Sequence, residues 1–212
     1  MVPVGDHYLF GDYEACLNLG GIANISFSDN GLRIAYDICG ANMVLNTLAQ
    51  EADLPYDEGG KLAAAGRYDD QLAKALNTLA YYKLPPPKSL GMEWVNSQVM
   101  PLLRQSGISL QDQLHTYTPH VAQQLAQAIH SATAEGQKTL VTGGGAHNTY
   151  LIDCLKREVN ERKVIVPDKS LVDFKEAIIF AFLGYLRLNN HENCLKSVTG
   201  AQENSSGGVI YG

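Results

Sequence analysis

The chain has 212 residues, enough for one large domain or one lobe of a larger protein, and 45% of them are hydrophobic, enough to build a core. Its formal net charge is −6 and it carries no basic run, which argues against a nucleic-acid surface. No apolar stretch reaches membrane-span length; the longest, around Ala177 to Leu183, has the length of a buried helix segment.

The start, MVPVGDHYLF, lacks the basic and long apolar regions of a signal peptide, and Val2 to Asp6 reads as a loop. Ala15 to Leu19 is a short apolar run. Ile25 and Phe27 then alternate with Asn24, Ser26 and Ser28, the period of a half-buried strand. Asp29-Asn30-Gly31 is a strong hairpin signal, because both central positions of the favoured turn need positive φ. Leu32, Ile34 and Tyr36 alternate again, so residues 15–37 are predicted to form a three-stranded antiparallel meander. A helix should follow from about Asn42 to Ala52, with Val44, Leu45, Leu48, Ala49 and Ala52 on one face.

Residues 58–115 read as mostly helical, broken at Leu84-Pro85-Pro86-Pro87. Thr118-Pro119 looks like a helix start, a hydroxyl cap followed by proline at the first helical position. Lys138 to Thr142 is predicted as a strand, followed by Gly143-Gly144-Gly145 and a helix over His147 to Glu161. Lys163 to Val166 is another strand. A last helix over Asp173 to Leu188 is apolar nearly all round and is expected to be buried. The order β-β-β-α, helical insertion, α-β-α-β-α gives an α/β domain that matches a ribonuclease-H-like lobe, the half-unit of actin-like folds.

Chemistry-bearing residues are few. Gly20-Gly21 could let backbone N–H groups approach phosphate oxygens, and an ordinary hairpin turn explains the pair as well. Gly143-Gly144-Gly145 lies between a strand and a helix, the context in which a nucleotide can rest on open backbone. It is neither a Walker A loop nor G-x-G-x-x-G. Asp37, ending the third strand before Gly40, could accept a proton or hold a metal-bound water; a turn or capping aspartate is the plainer reading. Lys175-Glu176 near the start of the last helix reads as a solvated first turn. The six histidines show no metal-ligand spacing, and the four cysteines read as reduced thiols of a cytosolic protein.

Ordered blocks along the whole chain add a resemblance. "VPVGD" (2–6), "NLGGIANISF" (18–27), "YDICGAN" (36–42), "PKSLGMEW" (87–94), "VTGGGAHN" (141–148), "DFKEAIIFAF" (173–182) and "SVTGA" (197–201) resemble the C-terminal part of anhydro-N-acetylmuramic acid kinase, in its Bacteroidota-like form. The resemblance implies the two-lobed actin-like, sugar-kinase and heat-shock-chaperone fold. It implies an enzyme that uses ATP and Mg²⁺ to hydrolyse and phosphorylate 1,6-anhydro-N-acetylmuramic acid, giving N-acetylmuramic acid 6-phosphate in cytoplasmic cell-wall recycling. Asp37 stands at the family's catalytic aspartate. Gly20, Gly21 and Asn24 match its second phosphate loop. Gly143, Gly144 and Gly145 match its adenosine-side loop, with Asn148 at the start of the following helix. Glu176 matches a glutamate of the last helix. A sugar and ATP are the implied partners, with no nucleic acid and no membrane; a homodimer is compatible with the full-length family.

The sequence departs from the pattern in three places. Gly40-Ala41-Asn42 stands where relatives often carry a proline. Met92 stands where they often carry a basic residue, so any charge role there is lost. The family's first phosphate loop, "GTSxDG", and its sugar-binding arginines belong to an N-terminal lobe not found here. Residues 1–212 are therefore expected to form the C-terminal lobe with a helical insertion at about 58–115, inactive alone. A non-catalytic module of the same fold, or a related actin-fold sugar kinase, is the alternative.

Overall fold

The computed structural model describes residues 2–160 and 162–211. Five strands form one sheet: β1 (Ala15–Leu19), β2 (Ile22–Asp29), β3 (Leu32–Gly40), β4 (Lys138–Thr142) and β5 (Lys163–Ile165), in the order β3-β2-β1-β4-β5. The meander β1-β2-β3 is antiparallel, and β4 and β5 run parallel to β1, as expected for a ribonuclease-H-like lobe. Asn30 (φ 48°) and Gly31 (φ 80°) make the predicted hairpin turn with positive φ at both central positions.

The alternation of the strands gives the sheet two unlike faces. Leu17, Leu19, Ala23, Ile25 and Val141 point into the main core, against α2 (Asn42–Gln50), α3 (Leu110–Ala132) and α4 (Thr149–Glu158). The opposite face carries Cys16, Asn18, Asn24, Ser26, Arg33 and Asp37 and is covered by α1 (Val2–Leu9) and α5 (Lys169–Leu188). A period of two therefore separates an apolar half from a polar half of the molecule. Between α2 and α3 lies a series of short helical turns, such as Asp70–Asn77 and Met100–Gln105, with the proline run between them.

Four expectations need correction. Val2–Leu9 is a helix, not a loop. Pro3 sits in its first turn, where a missing N–H is harmless, and tertiary contacts with α5 hold it. Thr118-Pro119 is not a helix start. The start is Ser109, whose side chain accepts from the Asp112 N–H, and the helix passes through Pro119. The fully buried stripe Leu114, Tyr117, Val121 and Leu125 outweighs the one backbone hydrogen bond that proline forfeits. The helix after the three glycines starts at Thr149 rather than His147, and ends at Glu158. Finally, α5 starts at Lys169, four residues before the expected position, and is not buried all round: Phe174, Ile178, Phe180, Tyr185 and Leu188 are exposed, while Val172, Ile179, Leu183 and Leu186 face inward. Among the described residues, no helix is long and apolar enough to cross a membrane.

One buried group of α3 ties the fold to pH. His120 is 1% exposed, and its ring nitrogens meet Asn77 Oδ1 at 2.8 Å and the Tyr82 hydroxyl at 3.2 Å. Burial pushes its pKa down from 6.5 to about 4, since the charged ring loses its water. A depressed pKa contributes stability above the unfolded value, and that stability is lost as pH falls. The folded protein should lose about 2 kcal/mol between neutrality and pH 5 from this group. Urea unfolding at pH 7 and pH 5 measures it. His120→Gln should remove most of that difference; an unchanged pH dependence would contradict it.

Candidate functional site

The polar face of the sheet holds a row of four side chains set by strand register. Asp37 pairs with Asn24, Asn24 with Asn18, and Asn18 with Thr142. At about 4.8 Å per strand step the row spans about 14 Å. It lies near the C-terminal ends of the parallel strands β1 and β4, the edge of an open α/β sheet where ligands bind. Two cavities open along it. The first, of about 570 Å³, is lined by Asp37, Asn24, Asn18, Lys88, Glu176 and Phe180, with Val2 and Pro3 of α1 and Val198 of the short helix Lys196–Thr199. The second, of about 350 Å³, is lined by Asn18, Gly20, Thr142, Gly143, Gly144, Asp173, Lys175 and Glu176. Asn18 and Glu176 belong to both, so the cavities adjoin.

Asp37 does not end its strand; β3 continues to Gly40. What sets it apart is a β-bulge. Ala23 pairs with Cys39 and Asn24 with Asp37, leaving Ile38 unpaired. A bulge re-aims neighbouring side chains, which here lets Ile38 and Cys39 both enter the core while Asp37 faces the cavity. The stretch between α2 and α3 then clamps the aspartate. The Tyr81 hydroxyl donates to its carbonyl at 2.6 Å, its N–H donates to the Lys88 carbonyl at 3.3 Å, and the Leu90 N–H donates to Oδ2 at 2.9 Å. Among the described residues nothing hydrogen-bonds Oδ1. One carboxylate oxygen is thus fixed and the other is available for proton transfer. Beside it, the Lys88 ammonium lies 4.7 Å from the Tyr81 ring centre and 5.5 Å from that of Tyr36, and burial lowers its pKa.

The glycines differ in what they do. Gly143 has φ +83° and ψ 163°, a region open essentially to glycine, and a Cβ there would lie 2.5 Å from Asn18 Oδ1 and 2.9 Å from the Leu19 backbone. Gly144 has open space, its nearest neighbour being Asn42 Nδ2 at 3.7 Å. Gly145 is buried, and a Cβ would meet Leu19 Cβ at 2.7 Å, so its smallness is a packing need. Gly20 lines the second cavity. The Gly21 carbonyl instead accepts from the N–H groups of Ala41 at 2.8 Å and Met43 at 3.0 Å, fixing the start of α2.

The structure therefore brings Asp37, Asn24, Glu176, Gly20, Gly143 and Gly144 to adjoining cavities. Gly21, Gly145 and Asn148 are not among the lining residues. Asn148 caps α4, its Oδ1 accepting from the Leu151 N–H at 3.0 Å. Asp173, which lines the second cavity, is engaged by Lys169 and by His147 Nε2 at 2.8 Å, and these partners hold its carboxyl below the usual range. Asn18, Thr142 and Lys175 were missed in the sequence. Asn18 had a signal: a polar residue in an apolar strand immediately before a glycine turn. Thr142 Oγ1 is buried with no hydrogen-bond partner among the described residues, and Lys175, expected in a solvated first turn, is buried.

The donor set fits a nucleotide and its cation. A glycine-walled cavity with Asn18 on its lining can take phosphate oxygens. Glu176, which lines both cavities, is a hard oxygen donor of the kind Mg²⁺ prefers.

Two solved structures share the fold at low identity. The activator of 2-hydroxyisocaproyl-CoA dehydratase from Clostridium difficile with bound ADPNP has a TM-score of 0.52 at 17% identity, covering 89% of this chain and 67% of that one. Component A of (R)-2-hydroxyglutaryl-CoA dehydratase from Acidaminococcus fermentans has a TM-score of 0.50 at 15% identity, covering 84% and 63%. In sequence, the anhydro-N-acetylmuramic acid kinase of Hydrogenovibrio crunogenus is 29% identical over all of this chain and 59% of its own length. That of Aliivibrio fischeri is 32% identical over all of this chain and 60% of its own length. This chain thus spans about three fifths of the length of the curated relatives it matches. The family model for anhydro-N-acetylmuramic acid kinase matches residues 1–212, end to end, and the chain belongs to that family.

Proposed function

We propose that this chain forms the nucleotide-facing lobe of an ATP-dependent kinase that hydrolyses and phosphorylates 1,6-anhydro-N-acetylmuramic acid. A cytoplasmic role in cell-wall recycling is part of the same proposal. The observation that carries the reading is the registered row Asp37–Asn24–Asn18–Thr142, which runs from a clamped carboxylate to a glycine-walled cavity.

On this reading the sugar occupies the larger cavity and the phosphates the smaller. Asp37 Oδ1 takes a proton from the water that attacks the anomeric carbon. The bond between that carbon and the 6-oxygen breaks, and the 6-oxygen receives the γ-phosphoryl group as ADP leaves. The Leu90 N–H keeps the carboxylate turned toward the cavity throughout. Asn18 and Asn24 orient the sugar and phosphate by hydrogen bonds across the row. Gly143 and Gly144 allow the nucleotide to approach the backbone closely. Mg²⁺, when bound near Glu176, would neutralise charge on the transferring phosphoryl group.

The test uses a polypeptide spanning the full length of the relatives. Mg²⁺-ATP and 1,6-anhydro-N-acetylmuramic acid should give ADP in a coupled assay and N-acetylmuramic acid 6-phosphate by mass spectrometry. ADP release that ignores the anhydrosugar but responds to another sugar would overturn the substrate assignment. No nucleotide turnover with any sugar would overturn the kinase reading.

A further inference from the structure

A buried polar chain crosses the site's covered face and plays no part in the chemistry above. Lys175 Nζ on α5 pairs with Asp6 Oδ1 on α1 at 2.6 Å, both side chains being 4% exposed. The Ser26 hydroxyl on β2 donates to Asp6 Oδ2 at 2.5 Å. Arg33 on β3 donates to the Ser26 hydroxyl at 2.7 Å and to the Ser26 carbonyl at 3.2 Å. Cys16 on β1 lies in the field of Asp6, Lys175 and Arg33, its pKa raised mainly by burial to about 11, so it remains a neutral thiol. Packing reinforces the link. Val4 joins Ile179, Leu183 and Leu186 in a small separate core, and Gly5 lies so close to Ile179 that a Cβ would fall 2.5 Å from its side chain.

We infer that the Lys175–Asp6–Ser26–Arg33 chain is a positioning device that fixes α5 to the sheet through α1 and thereby holds Glu176 at the boundary of the two cavities. The geometry favours this over a purely stabilising ion pair in two ways. Lys175 is the residue immediately before Glu176 and itself lines the smaller cavity, so its anchor sets where the next side chain stands. Besides this chain, the helix is tethered near that point by the solvent-exposed Asp173–His147 pair at 2.8 Å, a weaker restraint than the buried one. Phe174, Ile178 and Phe180 around Glu176 are exposed rather than packed, leaving Lys175, Val172 and Ile179 as the buried contacts of this stretch. A shift of a fraction of an ångström at a positioned carboxylate is enough to slow a reaction. Asp6, Ser26, Lys175 and Arg33 are therefore positioning residues acting through Glu176.

The inference rests on the kinase reading of the cavities, and the experiment separates the two. In the full-length polypeptide, kcat and KM for ATP are measured for Asp6→Asn, Glu176→Gln and the double variant. Ser26→Ala serves in place of Asp6→Asn if the latter does not fold. Each single change should lower kcat by tenfold or more. The double should be no worse than Glu176→Gln, because the network acts only through that residue. Effects that multiply, or a wild-type rate in Asp6→Asn, would overturn the inference while leaving the kinase reading intact. If the wild-type polypeptide turns over no nucleotide, the kinase reading fails, and amide hydrogen exchange still decides the positioning claim. Asp6→Asn should then speed exchange across residues 172–178 by tenfold or more, with the core strands unchanged; equal exchange there would overturn it.

Discussion

Asp37→Asn, introduced into the full-length polypeptide, should lower turnover by about a hundredfold or more while leaving the folded structure intact. Water is a weak nucleophile at neutral pH, and a positioned carboxylate supplies on the order of a hundredfold or more as general base. Asparagine keeps the shape and an acceptor oxygen but cannot take the proton. Folding should survive because the contacts that fix this residue are mostly backbone: Tyr81 donates to its carbonyl, and its N–H donates to Lys88. The side-chain bond from the Leu90 N–H can be kept by the asparagine oxygen. The expected stability change is below about 1 kcal/mol. Coupled ADP release together with urea unfolding measures both sides. A near-wild-type rate would return Asp37 to the status of a strand residue beside a bulge. A large loss of stability would mean that its carboxylate holds the stretch between α2 and α3 in place.

Much of this site was legible in the sequence because it is written in strand periodicity. Residues 24–28 and 32–36 alternate, and hairpin chemistry at Asn30-Gly31 fixes their pairing. Once paired, Asn24 and Asp37 must share a face. Asn18 could have been added by the same argument, since it stands opposite Asn24. The bulge could not. It requires Ile38 and Cys39 both to enter the core, which is a matter of three-dimensional packing. The first helix was hidden for a similar reason. Pro3 and Gly5 give it poor local propensity, and contacts with Ile179, Lys175 and Ser26 stabilise it. The long helix α3 shows the converse, where buried apolar positions on both sides of Pro119 override a local stop signal. The last helix misled in another way. Its sequence is apolar nearly all round, yet Phe174, Ile178, Tyr185 and Leu188 are exposed among the described residues. Hydrophobicity identifies a surface that can be buried, and does not say what buries it.

The three consecutive glycines should separate on mutation, because the chain asks different things of each. Gly143→Ala should destabilise the fold by about 3 kcal/mol or more. Its backbone angles are nearly closed to any residue with a Cβ, costing about 1–3 kcal/mol, and the added methyl would collide with Asn18 Oδ1 and the Leu19 backbone at 2.5–2.9 Å, costing about as much again. The Asn18 side chain can turn aside into the cavity, but the Leu19 backbone cannot give way. Leu19 is a fully buried β1 residue, and relief would require β1 and β4 to separate. Gly144→Ala meets nothing closer than Asn42 Nδ2 at 3.7 Å and has no positive φ, so its stability should stay within about 1 kcal/mol of wild type. It does, however, put a methyl group on the wall of the smaller cavity. If that cavity receives the phosphates, Gly144→Ala should raise KM for ATP severalfold in the full-length polypeptide while its urea midpoint barely moves. Gly143→Ala should move the midpoint first. Should Gly144→Ala leave the ATP dependence unchanged, the nucleotide does not approach the backbone there, and Gly143 is glycine for the sake of the β1–β4 contact alone.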